Sequence, residues 1–325
     1  MRRLRAWVAT CTIAIGALAA AALTAGADDF PTRPIRIIVG FGPGSGADIT
    51  ARTVGARMSE ILHQPVVVEN KPGAGSSLAA DYVAHAAKDG YTLLMATISQ
   101  PINAAVTPTL NFDFVKDFAP IVLVSTIPNL LVVSPSLGVK TVGELIALAK
   151  AKPNALSYGS SGVATGTHLA AELFKVLTGV KMVHVPYGGS AQALTDLLAS
   201  RIDLLFTPAS TVIQHVRDGK LIALAATETK RTAIAPEIPT MAEAGLPGFD
   251  TGLWFGLLAP AGTPPPAIDK VSAAVNEAIK SDAVAAALRP QGIDLIGGTP
   301  DAFARYIASE MTRWDKVARA AGLKK

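Results

Sequence analysis

The chain has 325 residues, of which 50% are hydrophobic and 17% are charged. At roughly 150 residues per domain, this length predicts two domains. A mean hydropathy of +0.38 excludes a mostly disordered protein. The 29 Lys and Arg residues outnumber the 25 Asp and Glu residues by four, and the chain has one cysteine.

The N-terminus has the layout of a secretory signal peptide. Three arginines (Arg2, Arg3 and Arg5) precede the apolar run 6–23, and small residues follow at 25–27. A basic region, an apolar region and a small-residue exit are typical of a cleaved leader, although about 18 apolar residues also approach the length of a membrane anchor. We predict that residues 1–27 are removed and that the mature protein is soluble in the bacterial periplasm.

Removal of this leader changes which functions the composition allows. It takes away three positive charges and no negative ones, so the mature chain carries 26 minus 25, or +1. That balance excludes nucleic-acid binding. Cys11 is lost with the leader, so disulfides, a thiol nucleophile and a cysteine metal site are excluded as well. The five histidines show no metal-binding spacing, and we predict no metal site.

Strand-like and helix-like segments alternate along most of the mature chain. We predict strands at residues 35–41, 66–69, 91–96, 121–133, 156–159, 182–185, 203–206, 221–226 and 253–258. We predict helices at 47–62, 78–87, 142–150, 167–177, 191–199, 211–217, 265–279, 283–288 and 300–321. This alternation is typical of βαβ units and predicts an α/β fold with mainly parallel sheets.

The elements divide into two sets. Pro128 breaks the strand at 121–133, because proline does not fit a central strand. The strand at 253–258 precedes helices that have too few strands to form a domain of their own. We therefore predict that domain I comprises residues 28–127 plus 251–325, and that domain II comprises 128–250. Two crossings between the domains predict a hinge and a cleft.

A glycine-rich turn at residues 42–48 joins the first strand to the first helix. A helix N-terminus that follows such a turn is a ready anion site. Ser45 is expected to cap the helix, with Asp48 completing a capping box rather than touching a ligand. The same stretch also fits a dinucleotide fingerprint, G-x-G-x-x-A, with Glu69 as the ribose-binding acid. We disfavour that alternative because an exported chain is not expected to meet a nicotinamide pool.

Two further strand-to-helix loops, at 158–168 and 185–190, are rich in glycine and hydroxyl side chains. Ligands of open α/β sheets bind at the carboxyl ends of strands, where all three loops lie. Tyr187 and Trp254 are each equally compatible with a cleft and with packing, and His168 is expected to pack at a helix end. We find no G-x-S-x-G elbow and no phosphate-binding GK[ST] loop, so we predict no catalytic residue.

Several segments resemble the Bug family, the substrate-binding proteins of tripartite tricarboxylate transporters. They are PIRIIVGF at 34–41, VENKPGAG at 68–75, DGYTL at 89–93, YGSSG at 158–162, HVPY at 184–187 and WFGLLAP at 254–260. They occur in order over essentially the whole mature chain. The resemblance implies a type II periplasmic-binding-protein fold, in which two α/β domains with a hinge close an interdomain cleft on a small organic carboxylate.

The resemblance also implies a monomer without a cofactor, which delivers its ligand to a membrane permease and is not an enzyme. The implied ligand contacts are Gly44, Ser45 and Gly46 in one domain, and Ser160, Ser161, Thr165, Gly166, Thr167, Gly188, Gly189, Ser190 and Thr207 in the other. Thr207 stands where the family often has an acidic or amide residue, and residues 97–100 lie where selectivity is read. The alternative is an exported α/β enzyme that uses the 42–47 turn for a nucleotide cofactor.

Overall fold

The computed structural model describes residues 30–107, 109–163 and 165–323. The predicted leader, with Cys11, lies outside these residues. Within the described ranges, no helix combines the length and the apolar character needed to cross a membrane.

The strands form two separate mixed sheets. The first sheet contains β1 (Ile35–Val39), β2 (Val66–Asn70), β3 (Thr92–Thr97), β4 (Phe118–Ile127), β10 (Leu253–Pro260) and β11 (Asp294–Leu295), in the spatial order β11-β4-β10-β3-β1-β2. The second contains β5 (Asn129–Val133), β6 (Ser157–Ser160), β7 (Val183–Pro186), β8 (Leu204–Pro208) and β9 (Ile222–Ala226), in the order β7-β6-β8-β5-β9. We call the elements around the first sheet lobe I and those around the second lobe II. The predicted domain boundaries remain a prediction.

Helices cover the faces of both sheets. They are α1 (Gly46–Leu62), α2 (Ser77–Ala84), α3 (Ser99–Val106), α4 (Val142–Ala151), α5 (Gly166–Thr178), α6 (Ser190–Leu198), α7 (Ala209–Arg217), α8 (Pro265–Ala278), α9 (Asp282–Leu288) and α10 (Pro300–Ala320). Their apolar positions recur at helical spacing, which is why one face of each packs inward. In α1 the buried face is Ala47, Ala51, Val54, Met58 and Leu62.

The expectation of mainly parallel sheets is wrong. β1 pairs in parallel with β2 and β3, and β6 with β7 and β8. In contrast, β10 is antiparallel to both β3 and β4, β11 is antiparallel to β4, and β5 is antiparallel to both β8 and β9. The antiparallel strands β4, β5 and β10 are those at which the chain passes between the sheets, so their direction is set by the crossings rather than by a βαβ unit.

The first crossing occurs at Pro128, as the break in the predicted strand suggested. β4 ends at Ile127 in the first sheet and β5 begins at Asn129 in the second. Proline has no N–H to donate to either ladder. The Asn129 side chain donates to the carbonyl of Thr251 over 2.8 Å, which ties the first crossing to the second.

Hydrogen bonds from the C-terminal helix α10 hold the second crossing against lobe I. Glu310 of α10 is fully buried and accepts hydrogen bonds from the indole N–H groups of Trp254 (2.9 Å) and Trp314 (3.0 Å). Arg313 bridges Glu310 (2.6 Å) to the carboxylate of Asp250 (3.1 Å). The buried charge is therefore paired, as burial of a carboxylate requires.

Two elements were not predicted. The helix α3 has Pro101 as its third residue. Proline in a sequence suggests that a helix is interrupted, although it is tolerated in the first turn. β11 has only two residues, Asp294 and Leu295, and adds an edge beside β4. Neither carries enough pattern for detection, and α3 proves to border the cavity described below.

Glu228, just beyond β9, is expected to make the stability of the protein depend on pH. Partial burial, and repulsion from Asp250 and Asp294, raise its pKa to about 7, from 4.5. The folded protein thus binds this proton more tightly than the unfolded chain. The resulting stabilisation is complete below about pH 4.5 and is lost as the pH rises to about 7.

We therefore expect Glu228→Gln to remove this loss and to raise the free energy of unfolding at pH 8 by up to about 3 kcal/mol. Urea unfolding at pH 5 and pH 8 measures it. Glu277→Gln, on the exposed face of α8, is the matched control and should keep the wild-type dependence on pH. An unchanged pH dependence in Glu228→Gln would contradict the role assigned to this carboxyl.

Candidate functional site

The first predicted loop forms a capped helix start in lobe I. Ser45 is the N-cap of α1, and its side chain accepts a hydrogen bond from the N–H of Asp48 over 3.3 Å. The Asp48 carboxylate in turn accepts from the N–H of Gly44 over 2.9 Å, one residue earlier than a standard capping box. Gly44 has φ +80°, a left-handed conformation that favours glycine. The turn is thus held closed by its own helix.

Asp48 shapes this loop from behind the helix start. Burial would raise its pKa, but hydrogen bonds from Arg52, the Gly44 amide and Asn70 outweigh burial, and the pKa of Asp48 is lowered. Arg52 donates over 3.0 Å and Asn70 over 2.8 Å to the same carboxylate oxygen. Asp48 therefore stays ionised and fully engaged within the protein, in agreement with its expected role as a cap.

The second loop begins α5 in lobe II with a cluster of hydroxyl groups. Thr165 is the N-cap of α5, and its hydroxyl accepts from the N–H of His168 over 3.4 Å. The Thr167 hydroxyl accepts from the N–H of Ser161 and lies 2.9 Å from the Ser161 hydroxyl. Thr165 donates to the carbonyl of Gly162 over 2.7 Å. These bonds fold the loop around the start of α5.

The third loop begins α6, also in lobe II. Its N-cap is Gly189, which has no side chain to cap the helix. The N–H of Gly188 donates to the Gln192 side chain over 3.1 Å. The Tyr187 hydroxyl donates to Asp196 over 2.8 Å, and partial burial together with this bond raises its pKa to about 12. Tyr187 thus packs against α6, the helix that follows the loop. This geometry does not support the alternative prediction that Tyr187 is an aromatic side chain of the cleft.

All three helix starts border one cavity of about 500 Å³. It is lined by Phe41, Ser45, Gly46, Ala47, Thr97, Ile98, Ser99, Ser161, Thr165, Gly166, Thr167, Gly188, Gly189, Ser190, Pro208, Leu253 and Phe255. Both lobes contribute, so the cavity lies between them. Most of the predicted site residues are in this lining; Gly44, Ser160 and Thr207 are not.

Ser160 and Thr207 are buried behind the lining, whereas Gly44 is exposed in its turn. The Gly44 amide is taken by Asp48. Ser160 is buried at the end of β6, where its hydroxyl lies 2.7 Å from Nε2 of His184 and donates to the carbonyl of Gly162. Thr207 is a buried residue of β8 beside Leu130 of β5. Its hydroxyl oxygen has no hydrogen-bond partner among the described residues.

Most of the apolar lining was not predicted, although Ile98 lies in the stretch 97–100 where selectivity was expected. Leu253 and Phe255 line the cavity, whereas Trp254 between them points to the core, where its ring lies edge-on to Phe303 at 5.7 Å. Successive strand residues face opposite sides, so the alternation along β10 could have identified Leu253 and Phe255 once Trp254 was assigned to packing. Ile98, the N-cap of α3, completes this surface.

Two histidines lie beneath the second loop, outside the cavity. The rings of His168 and His184 stack at 4.1 Å, and His184 also stacks on Tyr158 at 4.9 Å. Burial, and the neighbouring His184, lower the pKa of His168 to about 4, so the ring is neutral at ordinary pH. This agrees with the expected packing role of His168 at a helix end.

The electrostatics of the cavity come from the backbone. Among the described residues that line it there is no Lys, Arg, His, Asp or Glu. The first-turn N–H groups of α1, α5 and α6 have no partner within their helices unless a side chain caps them. Each helix N-terminus is equivalent to roughly half a positive charge. Over the described ranges, no three His, Cys, Asp or Glu side chains are grouped so that they could hold a metal ion.

The sequence matches a known protein family over most of its length. A family model described as the tripartite tricarboxylate transporter family receptor matches residues 50–323. The protein BugT of Bordetella pertussis is 37% identical over 310 residues, which cover 95% of each chain. The resemblance to the Bug family is therefore confirmed.

Solved structures agree with this match. Rpa4515 from R. palustris with adipate is 38% identical, covers 90% of this chain and 98% of its own, and has a TM-score of 0.78. MatC from Rhodopseudomonas palustris with bound malate is 32% identical, with coverages of 89% and 99% and a TM-score of 0.75. The predicted fold, a periplasmic-binding-protein fold of α/β architecture, is confirmed.

The close contact of the lobes beside the cavity depends on Gly166, the first residue of α5. A Cβ on Gly166 would lie 3.2 Å from Cδ2 of Leu253 and 3.4 Å from Cγ2 of Ile98, both in lobe I. We expect Gly166→Ala to lower the free energy of unfolding by about 1 kcal/mol or more, because an added methyl must displace packed neighbours. Urea unfolding measures the change.

Gly143→Ala is the matched control. Gly143 lies in the first turn of α4, also in lobe II, and a Cβ there would approach only the Thr141 hydroxyl, at 3.9 Å. Alanine is the better helix former, so this variant should be as stable as the wild type or more so. Equal stabilities of the two variants would contradict the proposed tight contact at Gly166.

Proposed function

This chain belongs to the tripartite tricarboxylate transporter receptor family, and we propose that it captures a small organic carboxylate between its lobes and delivers it to a membrane permease. Family members are periplasmic solute-binding receptors, and the relatives with adipate and with malate both hold organic acids. We further propose that this protein acts as a monomer and is not an enzyme.

The observation that carries the proposal is the meeting of three helix N-termini, from two lobes, at one cavity without a cationic side chain in its described lining. A carboxylate is the ligand that such a site favours, because it accepts hydrogen bonds from several N–H groups at once. Micromolar affinity requires about −8 kcal/mol. Charge-assisted hydrogen bonds contribute roughly 1.5–3 kcal/mol each, so four or five of them suffice before ordering costs.

We assign the ligand contacts to the residues inferred from the sequence. In lobe I they are Gly44, Ser45 and Gly46. In lobe II they are Ser160, Ser161, Thr165, Gly166, Thr167, Gly188, Gly189, Ser190 and Thr207. Within this set, Gly46, Gly166 and Ser190 offer the first N–H of their helices. Gly44, Ser160 and Thr207 lie outside the lining and are expected to act indirectly, by holding lining residues in place.

Binding is coupled to closure of the lobes. A ligand favours the closed form only by its greater affinity for that form, and contacts from both lobes supply this difference. The crossings at 127–129 and 250–253 are the proposed hinge, in which a few residues absorb the change in backbone angles. The closed form is the one that we expect to dock on the permease.

The alternative, a nucleotide cofactor at the 42–47 turn, loses support. Glu69, the candidate ribose-binding acid, is paired with Arg36 through two hydrogen bonds of 2.5 and 2.7 Å. The Arg36 hydrogen bond lowers the pKa of Glu69, despite partial burial, and holds the carboxylate in place. The Gly44 amide, which would face a pyrophosphate, already serves Asp48.

We expect isothermal titration of protein 28–325 to show binding of at least one acid from a panel of small carboxylates, with no heat from NAD or NADP. Thr167→Val should weaken that binding by about fivefold, or about 1 kcal/mol, because the Thr167 hydroxyl holds the Ser161 amide.

Thr195→Val is the control for this variant. Thr195 is exposed on α6, and its hydroxyl bonds only the Ala191 carbonyl of its own helix at 3.0 Å, so wild-type affinity is expected. Binding of a nucleotide in place of every carboxylate would refute the proposal, and equal affinities of the two variants would refute the role of Thr167.

Export is part of the proposal. We expect the protein expressed from its full sequence in a Gram-negative host to appear in the periplasmic fraction with a new N-terminus near residue 28. Sequencing of the purified N-terminus measures this directly. A protein that retains residues 1–27 and sediments with membranes would instead identify the leader as an anchor.

A further inference from the structure

The walls between the helix starts are apolar. Leu253 and Ile98 lie against the start of α5, and the Phe255 ring lies about as close to the start of α1, where a Cβ on Gly46 would meet it at 3.2 Å. Phe41 extends this surface in lobe I, and Pro208 extends it in lobe II. A charged group placed against these side chains would be desolvated without a partner, which costs several kcal/mol.

The described lining contains seven hydroxyl side chains, and four of them bond oxygen atoms of other protein groups. The Thr165 hydroxyl donates to the Gly162 carbonyl, and the Thr97 hydroxyl lies 3.2 Å from the Gln100 side-chain oxygen, to which it donates. The hydroxyls of Ser161 and Thr167 bond each other at 2.9 Å. The other three, those of Ser45, Ser99 and Ser190, stand at the starts of α1, α3 and α6. All seven are neutral, so none of them supplies a charge to pair with a carboxylate.

The remaining polar donors of the lining are backbone N–H groups. Gly46 and Ala47 begin α1, Gly166 and Thr167 begin α5, and Ser190 begins α6, and the N–H groups of these first residues have no acceptor inside their helices. A single carboxylate offers about four lone-pair sites on two oxygens. One carboxylate can therefore accept hydrogen bonds from more than one helix start.

We infer that the ligand is a monocarboxylate, with one carboxylate at the helix starts and a hydrocarbon body against Phe41, Ile98, Leu253 and Phe255. The inference rests on the proposed function and narrows its substrate class. A dicarboxylate or tricarboxylate of similar length leaves its second charge beside an apolar wall. The protein therefore discriminates against polyacids because the described lining has no cationic side chain to pair with a second charge, rather than by size.

Hexanoate, monomethyl adipate and adipate test this inference, since the three acids share a six-carbon chain and differ at one end. Isothermal titration of protein 28–325 at pH 7.5 should show hexanoate and monomethyl adipate binding more than about tenfold more tightly than adipate. Equal or tighter binding of adipate would overturn the inference and leave carboxylate capture intact. A lack of binding by every carboxylate tested would overturn the proposed function as well.

A variant that adds a positive charge to the apolar wall should favour the dicarboxylate instead. Leu253→Lys places a cation in the apolar wall at a half-buried position, and we expect it to shift the ratio of adipate to hexanoate affinity toward adipate by at least about tenfold. An unchanged ratio in a folded variant would contradict the assignment of the wall. If Leu253→Lys fails to fold, the three-acid comparison on the wild-type protein still decides.

Val115→Lys is the control for net charge. Val115 is 60% exposed and lies just before β4. The first residue of β4 pairs with the last residue of β10, whereas Leu253 is the first residue of β10, so Val115 and Leu253 lie at opposite ends of this strand pair. Screening makes a charge at that distance ineffective. The wild-type ratio of affinities is expected, and a shift equal to that of Leu253→Lys would attribute the effect to overall charge and overturn the inference.

Discussion

The proposed binding mode depends on attraction between a negative ligand and peptide dipoles rather than cationic side chains. For that attraction to work, the first turns of α1, α5 and α6 must meet, although α1 belongs to one sheet and the other two belong to the second. Each helix follows a strand, so its N-terminus lies at the carboxyl edge of that sheet. Two sheets whose carboxyl edges face each other bring the dipoles together, and this arrangement requires the chain to cross twice.

The crossings explain why the sheets are mixed rather than parallel. They also explain why the side chains of β10 face two environments, the core and the cavity. β4 and β10 are antiparallel, and Leu253 pairs with Ile127 at the lobe boundary, where β4 leaves lobe I and β10 enters it. Alternation along β10 then sends Trp254 into the core, toward Glu310, and leaves Leu253 and Phe255 facing the cavity. One strand thus follows the second crossing directly and supplies part of the apolar wall.

Local pattern predicted the helices and strands well, because amphipathic spacing and β-branched runs reflect burial directly. Capping at Ser45 and the break at Pro128 were also readable, since each rests on chemistry within a few residues. Strand direction was not readable, because the partners of β10 are more than a hundred residues away. The polar lining could be predicted because a loop between a strand and a helix, rich in glycine and hydroxyl side chains, occurs three times in the sequence. In the apolar lining, the alternation along β10 separates Leu253 and Phe255 from Trp254, but it does not show which face meets the other lobe.

A neutral lining also explains how such a site can open and close. An arginine in the cavity would lose its hydration on closure and would need a partner in every ligand-free closed molecule. Hydroxyl groups that bond one another, as Ser161 and Thr167 do, are satisfied with or without a ligand. The helix amides can exchange water for a carboxylate at little cost. The described lining of the cavity therefore holds no charge that would favour either form, and in the proposed mechanism the difference in affinity of the ligand for the two forms sets the balance between them.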